Sequence, residues 1–306
     1  MPIKASAKTH TGNVRAGNED CFFSNDALGL WLVADGMGGH EAGEVASAIV
    51  TQVIADEIRD GKSLSEAIQR SHHSILDATE QGHGAHGMGS TVVAVHRTQP
   101  NHWQLGWVGD SRAYLWTQQG KDDGELQQIS RDHSYVQALL ESGAITEDEM
   151  ENHPERNVIT QCLGSVEIQN VRVDTVEGDW KPGQKILLCS DGLSDELSDS
   201  RIANILNENP DIVIAIDKLI EAALHSGGRD NVTAVLIEGP ETLASTTKQA
   251  KIKSSGKVYP ARSDAPEANA TDTKASRTKK IKLIVTFTAA SIAAAILAGV
   301  LIHFLG

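Results

Sequence analysis

Leu30-Trp31-Leu32-Val33-Ala34-Asp35-Gly36-Met37-Gly38-Gly39-His40 decides how the rest of the chain is read. Its apolar run is too short for an ordinary helix and predicts a buried strand. The strand stops on a carboxylate, and the turn behind it holds three glycines and then a histidine. Such a turn lets backbone approach an ion or a phosphate closely and places a titratable imidazole nearby. Alone, the segment fits equally well a strand-to-helix connection whose Asp35 caps the next helix.

The pattern recurs. Leu105-Gly106-Trp107-Val108-Gly109-Asp110-Ser111-Arg112 and Ile186-Leu187-Leu188-Cys189-Ser190-Asp191-Gly192 are also apolar strands ending on Asp with Gly beside it. A fourth acid, Asp230 in Gly227-Gly228-Arg229-Asp230-Asn231, precedes the strand-like Val232 to Ile237. Arg15-Ala16-Gly17-Asn18-Glu19-Asp20 adds two acids and a guanidinium. Unpaired buried carboxylates are costly, so several at strand ends require cations. Hard oxygen donors without a Cys or His cluster favour Mg²⁺ or Mn²⁺ over Zn²⁺.

The 306 residues are 40% hydrophobic, enough for a real core. The first 240 residues carry 37 acids and 17 bases, and the remainder 4 acids and 10 bases. A body of net −20 argues against nucleic acid as partner and suits a site that concentrates divalent cations. Cys21, Cys162 and Cys189 are odd in number and scattered, which predicts reduced core residues. No Cys-x₅-Arg loop, Gly-x-Ser-x-Gly elbow, Walker A loop or His-Glu-x-x-His is present.

Polar Met1 to Val14 predicts no signal peptide. Strands are expected at Ile3 to Thr11, from Phe22, at Thr91 to His96, Trp103 to Val108, Ala113 to Trp116 and Val171 to Val176, besides those above. Helical spacing marks Glu41 to Arg59, Ser63 to Thr79 with Ser63 and Glu66 as a capping box, Ser134 to Glu141, Thr146 to Asn152, Ser198 to Asn207 and Asp211 to Leu224. Strands, helix pairs and strands in this order point to an α+β fold of antiparallel sheets covered by helices.

Residues 1–240 therefore read as one domain, and 241–282, polar and basic, as a flexible linker. Leu283 to Leu305 holds 23 residues without Asp, Glu, Lys or Arg. At 1.5 Å per residue that is about 34 Å, enough to cross a hydrocarbon core of about 30 Å. Arg277, Lys279, Lys280 and Lys282 flank its N-terminal side, which predicts a single-pass tail anchor in the cytoplasmic membrane with the domain in the cytosol.

Hard-ligand carboxylates, an arginine and a histidine suit hydrolysis of a phosphate monoester. Two cations about 3.5–4 Å apart screen the dianion, acidify a shared water and aim it in line at phosphorus. Arg15 is placed to hold phosphate oxygens and His40 to protonate the departing oxygen. Seven motifs resemble, in order, those of the metal-dependent protein phosphatases of the PPM class (type 2C) in their compact bacterial form. They are Gly12-x-Val14-Arg15-x-x-Asn18-Glu19-Asp20, Ala34 to His40, Gly87-Met88-Gly89-Ser90-Thr91, Gly109-Asp110-Ser111-Arg112, Asp132-His133-Ser134, Ser190-Asp191-Gly192-Leu193 and Gly228-Arg229-Asp230-Asn231.

The resemblance covers about residues 3–238 and implies a four-layer αββα sandwich with two Mn²⁺ or Mg²⁺ ions at one sheet edge. By motif, Asp35, Asp191 and Asp230 would ligate one ion. Asp35 would bridge to a second, which the Gly36 carbonyl, Glu19 and Asp20 would also reach. Asp110 and Asp191 match a third ion's ligands, Arg15 the phosphate-binding arginine and His40 the general acid. Ser142 to Asn157 looks like the family's flap. The implied substrates are phosphoserine and phosphothreonine proteins, and the implied counterpart is a bacterial Ser/Thr kinase. A phosphoprotein-binding adaptor and a small-phosphoester hydrolase are the competing readings.

Overall fold

The buried strand around Trp31 lies between two hydrophobic cores, which is why its apolar run is unbroken: Leu30, Leu32 and Ala34 face one core, and Trp31 and Val33 the other. In the computed structural model the described residues are 3–38, 42–120 and 123–240. The chain runs through β1 (Lys4–His10), β2 (Asp20–Asn25), β3 (Leu30–Met37), α1 (Ala42–Arg59), α2 (Leu64–Glu80), β4 (Gly89–Ser90), β5 (Val92–Gln99), β6 (His102–Val108) and β7 (Arg112–Gln118). It continues through β8 (Gly124–Gln128), α3 (Tyr135–Glu141), α4 (Glu147–Glu151), β9 (Asp174–Asp179), β10 (Gln184–Cys189), α5 (Asp191–Ser194), α6 (Asp199–Glu208), α7 (Ile212–Ser226) and β11 (Val232–Glu238).

One sheet has the order β1-β11-β10-β7-β8, and the other β2-β3-β5-β6-β9 with β4 beside β3. Adjacent strands pair antiparallel, through short turns in the β2/β3, β5/β6 and β7/β8 hairpins and across longer connections elsewhere. Three cores separate four layers. Ala46, Val50, Ile54 and Ile68 of α1 and α2 cover Leu32 and Ala34. Trp31, Val33, Val95, Leu105, Ile186, Leu188 and Val235 fill the space between the sheets. Ile202, Ile216 and Leu219 of α6 and α7 cover Leu187, Ala234 and Leu236. Each fully buried Val, Leu or Ile side chain among them contributes about 1.5–3 kcal/mol. The αββα sandwich expected from the motifs is this arrangement.

Helix starts fall where their caps predict. Ser63 and Glu66 form a reciprocal capping box, as do Thr146 and Glu149, and Ser134, Ser198 and Asp211 cap α3, α6 and α7. Three differences have plain causes. The strand expected at Val171 to Val176 begins instead at Asp174, because Val171 is buried against the α1 and α2 core and the polar Asp174–Asp179 pairs with β6. Strand β8 carries no apolar alternation, being an edge strand that borrows its order from β7. The single turn α5 follows directly from Ser190 and is too short for any periodicity.

His40, the 241–282 linker and the Leu283 to Leu305 span lie outside the described residues. Among those described, no helix is long and apolar enough to cross a membrane.

Candidate metal centre

Antiparallel pairing collects the acids along one edge. Asp20, first in β2, faces Asp35 near the end of β3 in direct register. In the other sheet Cys189 stands opposite both Arg112 and Ala234, which brings the Gly109-Asp110 turn, the Ser190-Asp191 end of β10 and the Asp230 approach to β11 to the same edge. Ser190 ties the sheets together. Its Oγ donates to Asp20 Oδ2 at 2.8 Å and accepts from the Thr233 N–H at 3.0 Å.

The N-terminal loop is held there by Asn231, whose Oδ1 accepts from the Glu19 N–H at 2.7 Å and whose amide donates to the Thr11 and Gly17 carbonyls. The Gly36 N–H and the Ser47 hydroxyl both donate to the Glu19 carbonyl. Close approach dictates the glycines: a Cβ on Gly43 would stand 2.7 Å from Glu19 Oε1, and one on Gly192 2.0 Å from the Asn231 carbonyl oxygen. Sequence reasoning missed Ser190 and Asn231 as site-building residues. Both lie inside quoted motifs, beside the acids that drew attention.

The carboxylates disturb one another. Burial, then the charges of Asp20, Asp191, Asp110 and Asp230, hold Asp35 well above the ordinary carboxylate range. Burial and the charges of Asp110, Asp195, Asp230 and Asp20 do the same to Asp191. Burial pushes Asp20 up to about 6 against the hydrogen bonds it accepts, and Asp110 up to about 7 with the charge of Asp132. Four acids that resist ionisation in each other's presence lack positive charge between them.

Glu19 Oε1, Asp20 Oδ1 and Asp191 Oδ1 are buried and, among the described residues, have no hydrogen-bond partner. As placed, no three His, Cys, Asp or Glu side chains of the described residues form a closed coordination group. The acids are neighbours at Coulomb range. All-oxygen donors, orphaned buried oxygens and the glycine cradle fit hard divalent cations.

Arg15 and Asp230, given separate roles by the motifs, meet directly: Nη2 lies 2.5 Å from Oδ2. The Asp230 hydrogen bond raises the Arg15 pKa against a partial desolvation, with Glu19 and Asp191 adding to the rise. Half-exposed, Arg15 keeps donors free toward solvent at the mouth of the cluster. A cleft of about 780 Å³ is lined by Asp110 and Asp191 of the cluster together with Glu147, Met150, Arg156 and Asn157. The Ser142 to Asn157 stretch thus faces the acids, and Arg156 lies 3.6 Å from Asp195. Burial pushes the thiols of Cys21 and Cys162 up, away from the thiolate that makes a cysteine reactive.

A family model described as protein phosphatase 2C matches residues 11–236. The chain is 37% identical over 244 residues to serine/threonine protein phosphatase PstP of Mycobacterium tuberculosis, covering 78% of this chain and 45% of that one, so it spans about half that relative's length. It is 34% identical over 249 residues to the serine/threonine phosphatase stp of Listeria monocytogenes, covering 77% of this chain and 96% of the relative. A crystal structure of the catalytic domain of serine/threonine protein phosphatase PstP in complex with two manganese ions superposes with a TM-score of 0.67 at 35% identity, covering 78% of this chain and 98% of that one. With a family model matched over residues 11–236, a relative 34% identical along nearly its whole length and the layered fold shared with a solved member, this chain belongs to the protein phosphatase 2C family.

Proposed function

We propose that this protein hydrolyses phosphoserine and phosphothreonine in proteins with the help of two Mn²⁺ or Mg²⁺ ions. The observation that carries the reading is the set of three buried carboxylate oxygens, from Glu19, Asp20 and Asp191, that have no partner among the described residues, at one sheet edge beside Arg15. When bound, the ions supply charge screening of the phosphate dianion and an acidified water for direct attack at phosphorus. Asp35, Asp191, Asp230, Glu19, Asp20 and the Gly36 carbonyl would hold the two ions, and Asp110 with Asp191 would offer donors to a third. Ser190 and Asn231 keep Asp20 and Glu19 aimed at the centre. Arg15 releases part of its hold on Asp230 to grip two phosphate oxygens. His40 protonates the departing serine or threonine oxygen.

The two manganese ions in the PstP structure support the choice of metal. The wide cleft beside Asp110 and Asp191 favours a protein segment over a small phosphoester. The polar and basic 241–282 stretch and the apolar Leu283 to Leu305 support a membrane anchor that holds the enzyme at the cytoplasmic membrane, where it opposes a Ser/Thr kinase.

Purified protein should release phosphate from phosphopeptides in Mn²⁺, faster than from sugar phosphates, and Asp191→Asn and Asp230→Asn should each abolish this. Turnover that persists in EDTA would sink the metal reading, and preference for sugar phosphates the substrate reading. Removal of Leu283 to Leu305 should move the protein from the membrane to the soluble fraction. Continued pelleting with membranes would end the anchor reading.

A further inference from the structure

The turn that carries Asp191 and the loop that carries Asp230 lie against each other, and one residue of the first grips the second. Glu196 follows Asp191 by five positions and stands outside all seven motifs. Its backbone is anchored: the Asp195 N–H donates to the Asp191 carbonyl at 2.7 Å and the Leu197 N–H to the Leu193 carbonyl at 3.0 Å, with Leu193 and Leu197 buried in the core beneath α6 and α7. The Glu196 side chain is 3% exposed. Its Oε1 accepts from the Arg229 N–H at 3.1 Å and from Arg229 Nε at 2.8 Å, and its Oε2 accepts from Arg229 Nη2 at 3.3 Å. One carboxylate thus holds both the backbone and the side chain of the residue directly before Asp230.

The fit leaves little slack. A Cβ on Gly227 would stand 2.8 Å from Glu196 Oε2, and one on Gly192 3.5 Å from Asp230 Cβ. Asn13 grips the same loop, its N–H donating to the Gly228 carbonyl at 2.7 Å and its amide to the Leu224 and Gly227 carbonyls. Asp230 itself accepts from the Asn231 N–H through Oδ1 and from Arg15 through Oδ2. Asp191 and Asp230 repel each other when both are ionised, so the loop needs a tie that resists their separation. Glu196 with Arg229 supplies it as an ion pair, adding no net charge to a cluster already rich in acids.

We propose that Glu196 is a positioning residue that, through Arg229, holds the Asp230 loop against the Asp191 turn, and that this clamp sets how tightly the two acids take a divalent cation. Ligands already in place lose less freedom when the cation arrives. The proposal rests on the metal reading above and gives Glu196 and Arg229 no contact with cation or substrate.

The test is titration calorimetry of Mn²⁺ into the metal-stripped full-length protein, with thermal melts in EDTA alongside. The variants are Glu196→Ala, Glu196→Gln, Arg229→Ala and Glu196→Ala combined with Arg229→Ala. Glu196→Ala should raise the Mn²⁺ Kd about tenfold or more, the loss that outer partners of a metal site bring. Glu196→Gln keeps an oxygen for the Arg229 N–H and Nε and should recover most of the affinity. The double variant should bind no more weakly than Glu196→Ala, because the second substitution removes a partner whose contact is already gone.

A Kd unchanged in Glu196→Ala, with only its melting temperature lowered, would make the clamp merely structural and overturn the proposal. A double variant whose loss equals the product of the two single losses would overturn it too, since the residues would then act apart. Should Glu196→Ala not fold, Arg229→Ala decides, because that side chain is 63% exposed and the backbone bond to Glu196 survives its removal. An unchanged Kd there overturns the clamp. Wild-type protein that takes up no Mn²⁺ would overturn the metal reading itself, an outcome distinct from the others.

Discussion

Replacing Asp20 by Asn should make the cation-free protein more stable while weakening its hold on metal. Asp20 is 4% exposed, accepts from Ser190 through Oδ2 and leaves Oδ1 buried with no partner among the described residues. Its carboxyl titrates at about 6 instead of 3.8, mainly because burial penalises the charge. At about 1.4 kcal/mol per pKa unit, the ionised group costs the fold about 3 kcal/mol above pH 7.

The direction follows from proton counting. Between pH 3.8 and about 6 the folded protein binds more protons at Asp20 than the unfolded chain, so stability falls as pH rises through that window and then levels off. Asp110, raised to about 7, extends the window upward. An Asn at position 20 keeps an oxygen for Ser190 and offers an amide donor to Asp35.

In EDTA at pH 8, Asp20→Asn should therefore melt about 6–12 °C above the wild type, at about 2–4 °C per kcal/mol for a domain of this size. Roughly half of the advantage should vanish at pH 5, where the wild-type carboxyl is largely protonated. In saturating Mn²⁺ the order should invert, because the ion stabilises the wild type by mass action and the variant much less. Thermal melts across pH, with and without Mn²⁺, read all three effects. An Asp20→Asn protein no more stable than wild type in EDTA at pH 8 would refute the claim that the acid cluster is a store of uncompensated charge.

Ser190→Ala should cost about 2–4 kcal/mol in urea unfolding, since it strips partners from Asp20 Oδ2 and the Thr233 N–H at once; a loss under 1 kcal/mol would show that the sheets do not depend on this tie. Gly192→Ala drives a Cβ to 2.0 Å from the Asn231 carbonyl oxygen, so Mn²⁺ affinity by calorimetry should fall about tenfold or more as the Asp191 and Asp230 backbones part. Arg15→Ala should raise KM for a phosphopeptide about 10–100-fold, the equivalent of about 1.5–3 kcal/mol for a charged hydrogen bond. Arg15→Lys should recover only part of it, and a KM unchanged in both would remove Arg15 from phosphate binding.

Local chemistry was legible in the sequence wherever a few adjacent residues decide the outcome. The continuous run Leu30 to Ala34 marked a strand buried on both faces, and Ser63 with Glu66 and Thr146 with Glu149 marked helix starts, because backbone caps reach only three residues. The repeated Asp-Gly endings of strands marked the acids of the candidate site for the same reason. The polar edge strand β8 left no such trace and β9 only a displaced one, since their order comes from hydrogen bonds to a neighbouring strand.

By itself, then, the sequence determined the type of every element with an apolar period or a cap of its own, the acids at the strand ends and the family motifs that carry them. Only the tertiary structure decided that Ser190 would join the sheets at Asp20, that Arg15 would rest on Asp230 and that Glu196 would hold Arg229, contacts between residues up to 215 positions apart. Sheet order and register set those meetings. Both are fixed by how three hydrophobic cores pack together, a property of the whole folded chain that no short window of residues contains.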